Sequence, residues 1–126
     1  MNFPDGLKYT EDHEWVKVDG NIGLIGITDH AQSELGDVVF VDIEEDLESV
    51  EKGEDFGTIE AVKTVADLYS PVTGKVLEVN TSINDDPEIV NQDPYGKGWM
   101  IKVEIEDLSD LDELMDVDSY KDHVGQ

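Results

Sequence analysis

The chain contains no cysteine and no arginine. Without cysteine it cannot form a disulfide, a thiolate metal site or a cysteine nucleophile. Without arginine it lacks the planar group that binds a carboxylate or a phosphate through two parallel hydrogen bonds. It also has no long apolar run, and its first residues, MNFPDGLKYTEDHEW, carry no apolar or basic segment. We therefore expect no signal peptide, no transit peptide and no membrane span, and we predict a cytoplasmic protein.

The charge is strongly one-sided, with 32 acidic residues against eight lysines and a formal net charge of −24. Such a surface repels nucleic-acid phosphates and anionic lipids, so we expect neither a nucleic acid nor a membrane as a partner. Solubility or adaptation to salt is the simpler explanation of this acidity. Steering toward basic partner surfaces is the functional explanation.

The pattern of the chain predicts a mainly β domain that spans residues 1–126. Short alternating segments separated by Gly and Pro turns indicate a sandwich or a barrel. A short helix near residue 30 is expected to begin at Thr28 or Asp29 and to end at Gly36. The predicted strands are 14–18, 22–27, 37–43, 56–62, 65–69, 75–79 and 99–105, and one helical turn is expected around 88–90.

The C-terminal pattern changes from strand to helix. Leu108, Leu111, Leu114 and Met115 share one helical face, which predicts a helical segment over about 107–124, with a last short helix at 119–124. A helix at this position would cover an open edge or end of the sheets.

No catalytic motif stands out. His13, His30 and His123 lie far apart in the sequence and have no helical metal spacing, so we expect ordinary histidines and no metal. No serine lies in a G-x-S-x-G elbow. Because acidic residues occur throughout the chain, no pair of carboxylates can be identified as a general acid and base. We therefore predict that the chain is not an enzyme.

One lysine has an unusual position. Lys63 lies between two alternating segments, GTIEAV and VADLYS, and its neighbours Val62 and Thr64 are small. Most such lysines are simply solvated surface residues. A rigid hairpin that presents an accessible amine, in a chain without a catalytic set, also suits covalent attachment of a long prosthetic arm.

The segment GTIEAVKTVADLYSPVTGKVLEVN resembles the lipoyl-attachment stretch of glycine cleavage system H proteins. The resemblance extends to DGLKYTEDHEWV, GITDHAQSELGDVVFVDI, VEKGEDFGTIEAVK and DPYGKGWMIKVEI, in the order and spacing of that family. It implies a barrel-sandwich hybrid fold, as in lipoyl and biotinyl carriers, with C-terminal helices. It also implies lipoic acid in amide linkage to Lys63.

The resemblance further implies a shuttle in glycine catabolism and one-carbon metabolism. The P-protein would load an aminomethyl group from glycine, the T-protein would pass the one-carbon unit to tetrahydrofolate, and the L-protein would re-oxidise the dithiol. A lipoate ligase or lipoyl transferase would attach the cofactor, and a monomer is expected. The cofactor would supply the thiol chemistry that a cysteine-free chain lacks.

In this family the loaded arm folds back into a surface cleft. Glu14, His30 and Asp67 match that region, with Ile27 as an apolar wall. Glu14 and Asp67 are candidates to pair with the cationic amine of the cargo. Asp12 and Glu34 stand where plant-type members carry less acidic residues, so the detail of the cleft is expected to differ.

Four alternatives remain open at this point. A lipoyl domain of a 2-oxo acid dehydrogenase is shorter and usually has Asp before the lysine, where this chain has Val62. A biotinyl carrier has Met on both sides of the lysine. A Schiff-base enzyme needs a desolvated amine, whereas a hairpin tip predicts an exposed one. A lipoyl relay, which donates lipoate to other carriers, has the same features as a shuttle.

Overall fold

The computed structural model describes residues 3–125, which form two antiparallel sheets and a few short helices. The strands are β1 (Lys8–Tyr9), β2 (Glu14–Asp19), β3 (Ile22–Ile27), β4 (Val38–Asp42), β5 (Ser49–Val50), β6 (Asp55–Ala61), β7 (Val65–Tyr69), β8 (Gly74–Val79) and β9 (Ile101–Ile105). The helices are α1 (Asp29–Leu35), α2 (Thr81–Asp85), α3 (Ile89–Gln92), a 3-10 helix (Leu108–Glu113) and α4 (Val117–Val124).

One sheet has six strands in the order β1-β2-β3-β9-β8-β5, and the other has three in the order β4-β6-β7. The mainly β class, the helix near residue 30 and the C-terminal helices are confirmed. Across the described residues the two sheets do not close into a barrel, so the fold is a sandwich of two open sheets. None of the helices within 3–125 has the length and apolar character needed to cross a bilayer.

Local sequence accounts for the β2–β3 hairpin and for α1. Asp19 pairs with Ile22 across a two-residue turn, and Gly20 there has a φ of 65°, which glycine adopts without steric cost. Thr28 caps the N-terminus of α1, because its hydroxyl accepts a hydrogen bond from the Ala31 amide at 3.1 Å. Gly36 follows the helix with a φ of 80°.

The main core is formed by apolar side chains from both sheets and from the short helices. They include Val16, Ile25, Val41, Ile59, Leu68, Val76, Ile83, Val90, Ile101 and Val103. Burial of such side chains, at roughly 25 cal/mol per Å² of apolar surface, is the main contribution that stabilises the sandwich.

A second cluster attaches α4 to the six-stranded sheet. It contains Phe3, Leu7, Tyr9, Trp15 and Tyr120, and the rings of Tyr9 and Tyr120 stack with their centroids 4.6 Å apart. Trp15 lies across Gly26, where an added Cβ would come within 2.7 Å of the indole. The indole N–H donates to the carbonyls of Ile27 and Pro94, at 2.9 and 3.0 Å. These contacts of Trp15 fix the end of β2 at which Glu14 lies.

Candidate functional site

Lys63 lies at the tip of the β6–β7 hairpin. Glu60 pairs with Val65, and the Ala61 amide donates to the Thr64 carbonyl at 2.8 Å, which closes a tight turn around Lys63. The Val62 amide donates to the Asp37 carbonyl at 3.1 Å and ties the turn to the segment before β4. The turn is therefore held on both sides by backbone hydrogen bonds.

The amine of Lys63 is accessible, because Lys63 and its neighbours Val62, Thr64 and Val65 are all exposed. The alternation predicted for this hairpin is confirmed: Ile59, Ala61 and Leu68 are buried, whereas Glu60 and Asp67 are exposed. An exposed amine argues against the Schiff-base alternative, which requires a desolvated lysine.

A cleft of about 150 Å³ lies beside this hairpin, and we call it the hairpin cleft. The hairpin contributes Ile59, Ala66, Asp67 and Leu68, α1 contributes Ala31, Glu34 and Leu35, and Ile27 and residues 12–14 complete the lining. Its walls are mostly apolar, and its polar groups include Asp12, His13, Glu14, Glu34 and Asp67. The structure thus brings together Glu14, Ile27 and Asp67, three of the residues that the family resemblance implies for an arm cleft.

Glu14 is the buried carboxyl group of this cleft, with only 3% of its surface exposed. The Thr10 hydroxyl donates to Oε1 at 2.8 Å, and the Tyr69 amide donates to Oε2 at 3.4 Å. Burial raises the pKa of Glu14 to about 7, and the two hydrogen bonds oppose this rise because they favour the carboxylate. Glu14 therefore changes charge near neutral pH.

Glu14 also lines a second, more polar cavity of about 320 Å³. This cavity extends from Thr10 and Tyr69 toward Lys52, whose amine forms an ion pair with Glu113 of the 3-10 helix. Glu14 therefore lines both cavities, and a cation in either one would favour its ionised form.

His30 lies outside the lining of the hairpin cleft. Its Nε2 is 3.5 Å from a carboxylate oxygen of Glu34, and its ring packs against His13, with the centroids 4.7 Å apart. His13 is the histidine that lines the cleft. The sequence did not reveal that His13 lines the cleft. Its backbone has a φ of 68°, an uncommon conformation for a residue other than glycine, and alternation along β2 does not predict it.

The three histidines meet at this rim, although they are distant in the sequence. The His123 ring lies 5.8 Å from that of His13, and the Tyr120 hydroxyl is 2.9 Å from Nδ1 of His13. Burial and then the neighbouring His30 and His123 lower the pKa of His13, which favours its neutral form. No group of His, Cys, Asp or Glu within residues 3–125 has a geometry that would hold a metal ion.

The family model described as "Glycine cleavage H-protein" matches residues 7–126. The chain belongs to the glycine cleavage H-protein family. It is 53% identical over 121 residues to the glycine cleavage system H protein of Bacteroides fragilis, a match that covers 96% of each chain. Its fold matches the crystal structure of a glycine cleavage system H protein from Mycobacterium marinum, with a TM-score of 0.89 and 38% identity, over 98% of this chain and 100% of that one.

As a member of the H-protein family, the chain is a lipoyl carrier of the glycine cleavage system and not one of its catalysts. The family carries lipoate and interacts with the enzymes of that system. A match over almost the whole length favours this assignment over the shorter lipoyl domain of a 2-oxo acid dehydrogenase.

Proposed function

We propose that the chain carries lipoic acid in amide linkage to Lys63 and that the hairpin cleft receives the loaded arm. The observation that supports this most directly is the position of Lys63, at the tip of a hydrogen-bonded hairpin that also supplies one wall of the cleft. An accessible amine is what an acylating enzyme requires, and a mostly apolar cleft beside it suits an aliphatic arm.

The proposed cycle follows from this arrangement. When attached, the dithiolane supplies reversible thiol–disulfide chemistry and a sulfur that can hold an aminomethyl cargo. The chain acts as one lipoyl-carrier domain over residues 1–126, and as a monomer. It receives the cargo from the P-protein, delivers it to the T-protein and is re-oxidised by the L-protein. Its similarity to a bacterial H protein supports a cytoplasmic location.

Glu14 is proposed to act as the counter-ion of the cargo amine. An amine beside Glu14 would stabilise the carboxylate and lower its pKa below about 7, so that loading completes its ionisation. Thr10 and the Tyr69 amide already hold both carboxylate oxygens, which orients the group before the arm arrives. The empty arm carries no cation and gains nothing from Glu14, so the arm would dock when loaded and swing free when empty.

The other cleft residues are proposed to have smaller roles. Ile27 provides an apolar wall. Asp67 is exposed, so its attraction for the amine is screened by water and weaker than that of Glu14. His30 acts only through its contact with His13, since His30 does not line the cleft.

The attachment is tested by intact mass and peptide mapping after treatment with lipoate, ATP and a lipoate ligase. We expect one lipoyl group per chain, on Lys63. Lys63→Arg should fold normally and accept none, because a guanidinium does not form this amide. Lys75→Arg, at an exposed strand lysine opposite Glu104, is the matched control and should be modified like the wild type. A lipoyl group on Lys75 or Lys97 would refute the assignment.

A further inference from the structure

Apolar side chains are exposed around Lys63. Within the described residues, six large hydrophobic side chains are exposed, and four of them belong to the three-stranded sheet and its turn. They are Val39 at 56%, Phe40 at 47%, Val62 at 71% and Val65 at 57% exposed. We call these four residues the apolar face. Exposed apolar side chains that cluster in this way mark interaction sites more often than scattered ones do.

The strand register places these side chains together. Phe40 of β4 pairs with Glu60 of β6, and Glu60 pairs with Val65 of β7, so the three residues form one row across the sheet. Val62 follows β6 directly and lies beside Lys63 in the turn. The apolar face therefore lies on the same sheet as the lysine, within the area that a protein bound to Lys63 would cover.

A β-bulge turns Phe40 outward. Val38 pairs with Ala61 and Phe40 with Glu60, so Val39 is an extra residue in β4. Regular alternation from the buried Val38 would bury Phe40 and expose Val41. The bulge reverses this: Val41 is buried, and both Val39 and Phe40 are exposed. The chain thus leaves a phenylalanine in water that an unbulged strand would bury.

The surroundings of the apolar face are acidic. Asp37, Asp42, Glu60 and Asp67 are exposed on or beside the same sheet. Asp42 and Asp67 both pair with Thr58, two residues along the strands from the row of Phe40. Lys63 is the one basic residue in β4, β6, β7 and the turn, and acylation removes its charge. A complementary surface would be apolar opposite the four side chains and would carry lysine or arginine opposite Glu60 and at its rim.

We propose that Val39, Phe40, Val62 and Val65 form the docking face for the lipoate ligase that acylates Lys63. The inference rests on the proposed attachment at Lys63. The ligase must bring its lipoyl adenylate to the amine itself, so its active site has to cover the hairpin tip. Enzymes that act later react with the sulfur atoms at the far end of the arm and not with the Lys63 amine.

The step is an acyl transfer. The Lys63 nitrogen forms a bond to the lipoyl carbonyl carbon of the adenylate as the bond from that carbon to the AMP oxygen breaks. The nitrogen loses a proton and AMP leaves with the bonding electron pair. The apolar face takes no part in this chemistry, so its loss should change the binding of the carrier and not the rate of the bound complex.

The test is the steady-state kinetics of a purified lipoate ligase with lipoate, ATP and the full chain as the varied substrate. Phe40→Ser and Val65→Ser should each raise KM for the chain by roughly tenfold, with kcat unchanged, as expected for side chains at the centre of an interface. Leu77→Ser is the matched control, because Leu77 is 44% exposed but lies on β8 of the other sheet. It should behave like the wild type.

Several outcomes would overturn the docking face. One is a wild-type KM for both Phe40→Ser and Val65→Ser, and another is an equal loss in Leu77→Ser. A dimer of the wild type that Phe40→Ser dissociates, seen by sedimentation, would assign the face to a second copy instead. Circular dichroism and thermal unfolding establish that each variant is folded. If mapping places the lipoyl group on another lysine, the proposed attachment fails, whereas normal kinetics with the group on Lys63 refutes the docking face alone.

Discussion

The phenolic oxygen of Tyr120 lies 2.9 Å from Nδ1 of His13, although 107 residues separate the two in the sequence. The same oxygen is 2.8 Å from the hydroxyl oxygen of Thr28. Tyr120 and Thr28 are buried. The Tyr120 hydroxyl of α4 is therefore hydrogen-bonded both to His13, at the rim of the hairpin cleft, and to Thr28, which caps α1.

Removal of this hydroxyl should destabilise the fold. Tyr120→Phe keeps the stacked ring but leaves His13 and Thr28 without this partner, and we expect a loss of about 1–3 kcal/mol in the free energy of unfolding. Urea denaturation measures it. Asp122→Ala, on the exposed side of the same helix, should change the free energy by less than about 0.5 kcal/mol. Similar small changes in both variants would show that the hydrogen bonds of the Tyr120 hydroxyl do not stabilise the fold.

The lowered pKa of His13 should make the protein less stable in acid. The unfolded chain takes up a proton near pH 6.5, whereas the folded pKa lies below that value, so the native state binds fewer protons there. The contribution of His13 to stability is therefore present above pH 6.5 and is lost as the pH falls through the folded pKa. The groups that lower this pKa after burial are His30 of α1 and His123 of α4, against Asp12 and Glu34, which raise it.

His13→Asn tests this dependence, since asparagine tolerates a positive φ better than most residues. As the pH falls from about 7.5 to 5.5, the unfolding free energy of His13→Asn should rise relative to that of the wild type, because only the wild type loses the His13 contribution. His123→Asn removes only one of the neighbouring groups that lower this pKa, so it should stay close to the wild type. Identical pH profiles for the wild type and His13→Asn would contradict the prediction.

Glu14 should act in the opposite direction. Its folded pKa of about 7 exceeds the ordinary value of 4.5, so the native state binds more protons than the unfolded chain, and stability falls as the pH rises through this range. At about 1.4 kcal/mol per pH unit, the ionised form costs on the order of 3 kcal/mol above pH 7. Glu14→Gln should remove this cost.

The measurement is the difference in unfolding free energy between Glu14→Gln and the wild type. It should be small below pH 4.5 and grow in favour of the variant up to about pH 7. The exposed Glu11, which lines only the second cavity, provides the control Glu11→Gln, which keeps the buried Glu14 carboxyl group and should therefore show the same Glu14-dependent loss of stability as the wild type. A difference that does not vary with pH would place the pKa of Glu14 near its ordinary value.

Protection of the cargo is the functional test of Glu14. An aminomethyl group on sulfur is cleaved by water, and a cleft that excludes water slows this loss. In Glu14→Ala, we expect ammonia to leave the loaded protein roughly ten- to a hundredfold faster, because a charge-assisted contact of about 1.5–3 kcal/mol is lost. Lipoylation and re-oxidation should remain near normal.

The measurement is spontaneous ammonia release from purified loaded protein with no T-protein present. Asp67→Ala should have a smaller effect, because Asp67 is exposed. The cargo amine holds the pKa of Glu14 below about 7 in the loaded protein, so release from the wild type should quicken only as the pH falls below this lowered pKa. Glu14→Ala should lack that dependence. Equal rates for the wild type and both variants would leave the carrier role intact and reject the counter-ion.

Several elements were predictable because their causes are local. The Asp19-Gly20-Asn21 turn, the Thr28 cap and the Gly36 stop act within a few residues, and the structure confirms the hairpin and the helix. The β6–β7 hairpin around Lys63 followed from alternation alone. The two-residue strands β1 and β5 were missed because such short segments have no period, and the five-residue α2 was taken for part of a turn-rich region.

The predicted C-terminal helices are confirmed, but the bridge that interrupts the helical segment was not predicted. Leu108, Leu111 and Leu114 suggested one helical face, but a 3-10 helix ends at Glu113 and α4 begins at Val117. Between them Met115 pairs with Tyr9, with backbone hydrogen bonds of 2.8 Å in both directions. A tertiary β-bridge overrides the helical pattern there, and sequence spacing does not contain the partner that causes it.

By itself the sequence determined the alternating strands, the turn that presents Lys63 and the acidic surface, because each depends on residue type and near neighbours. The tertiary structure decided the rest of the site. It buried Glu14 beneath Thr10 and Tyr69 and raised its pKa, joined His13 to Tyr120 of α4, and turned Phe40 outward through a bulge. These features depend on desolvation and on contacts between residues far apart in the chain, and only packing determines which groups lose water and which groups meet.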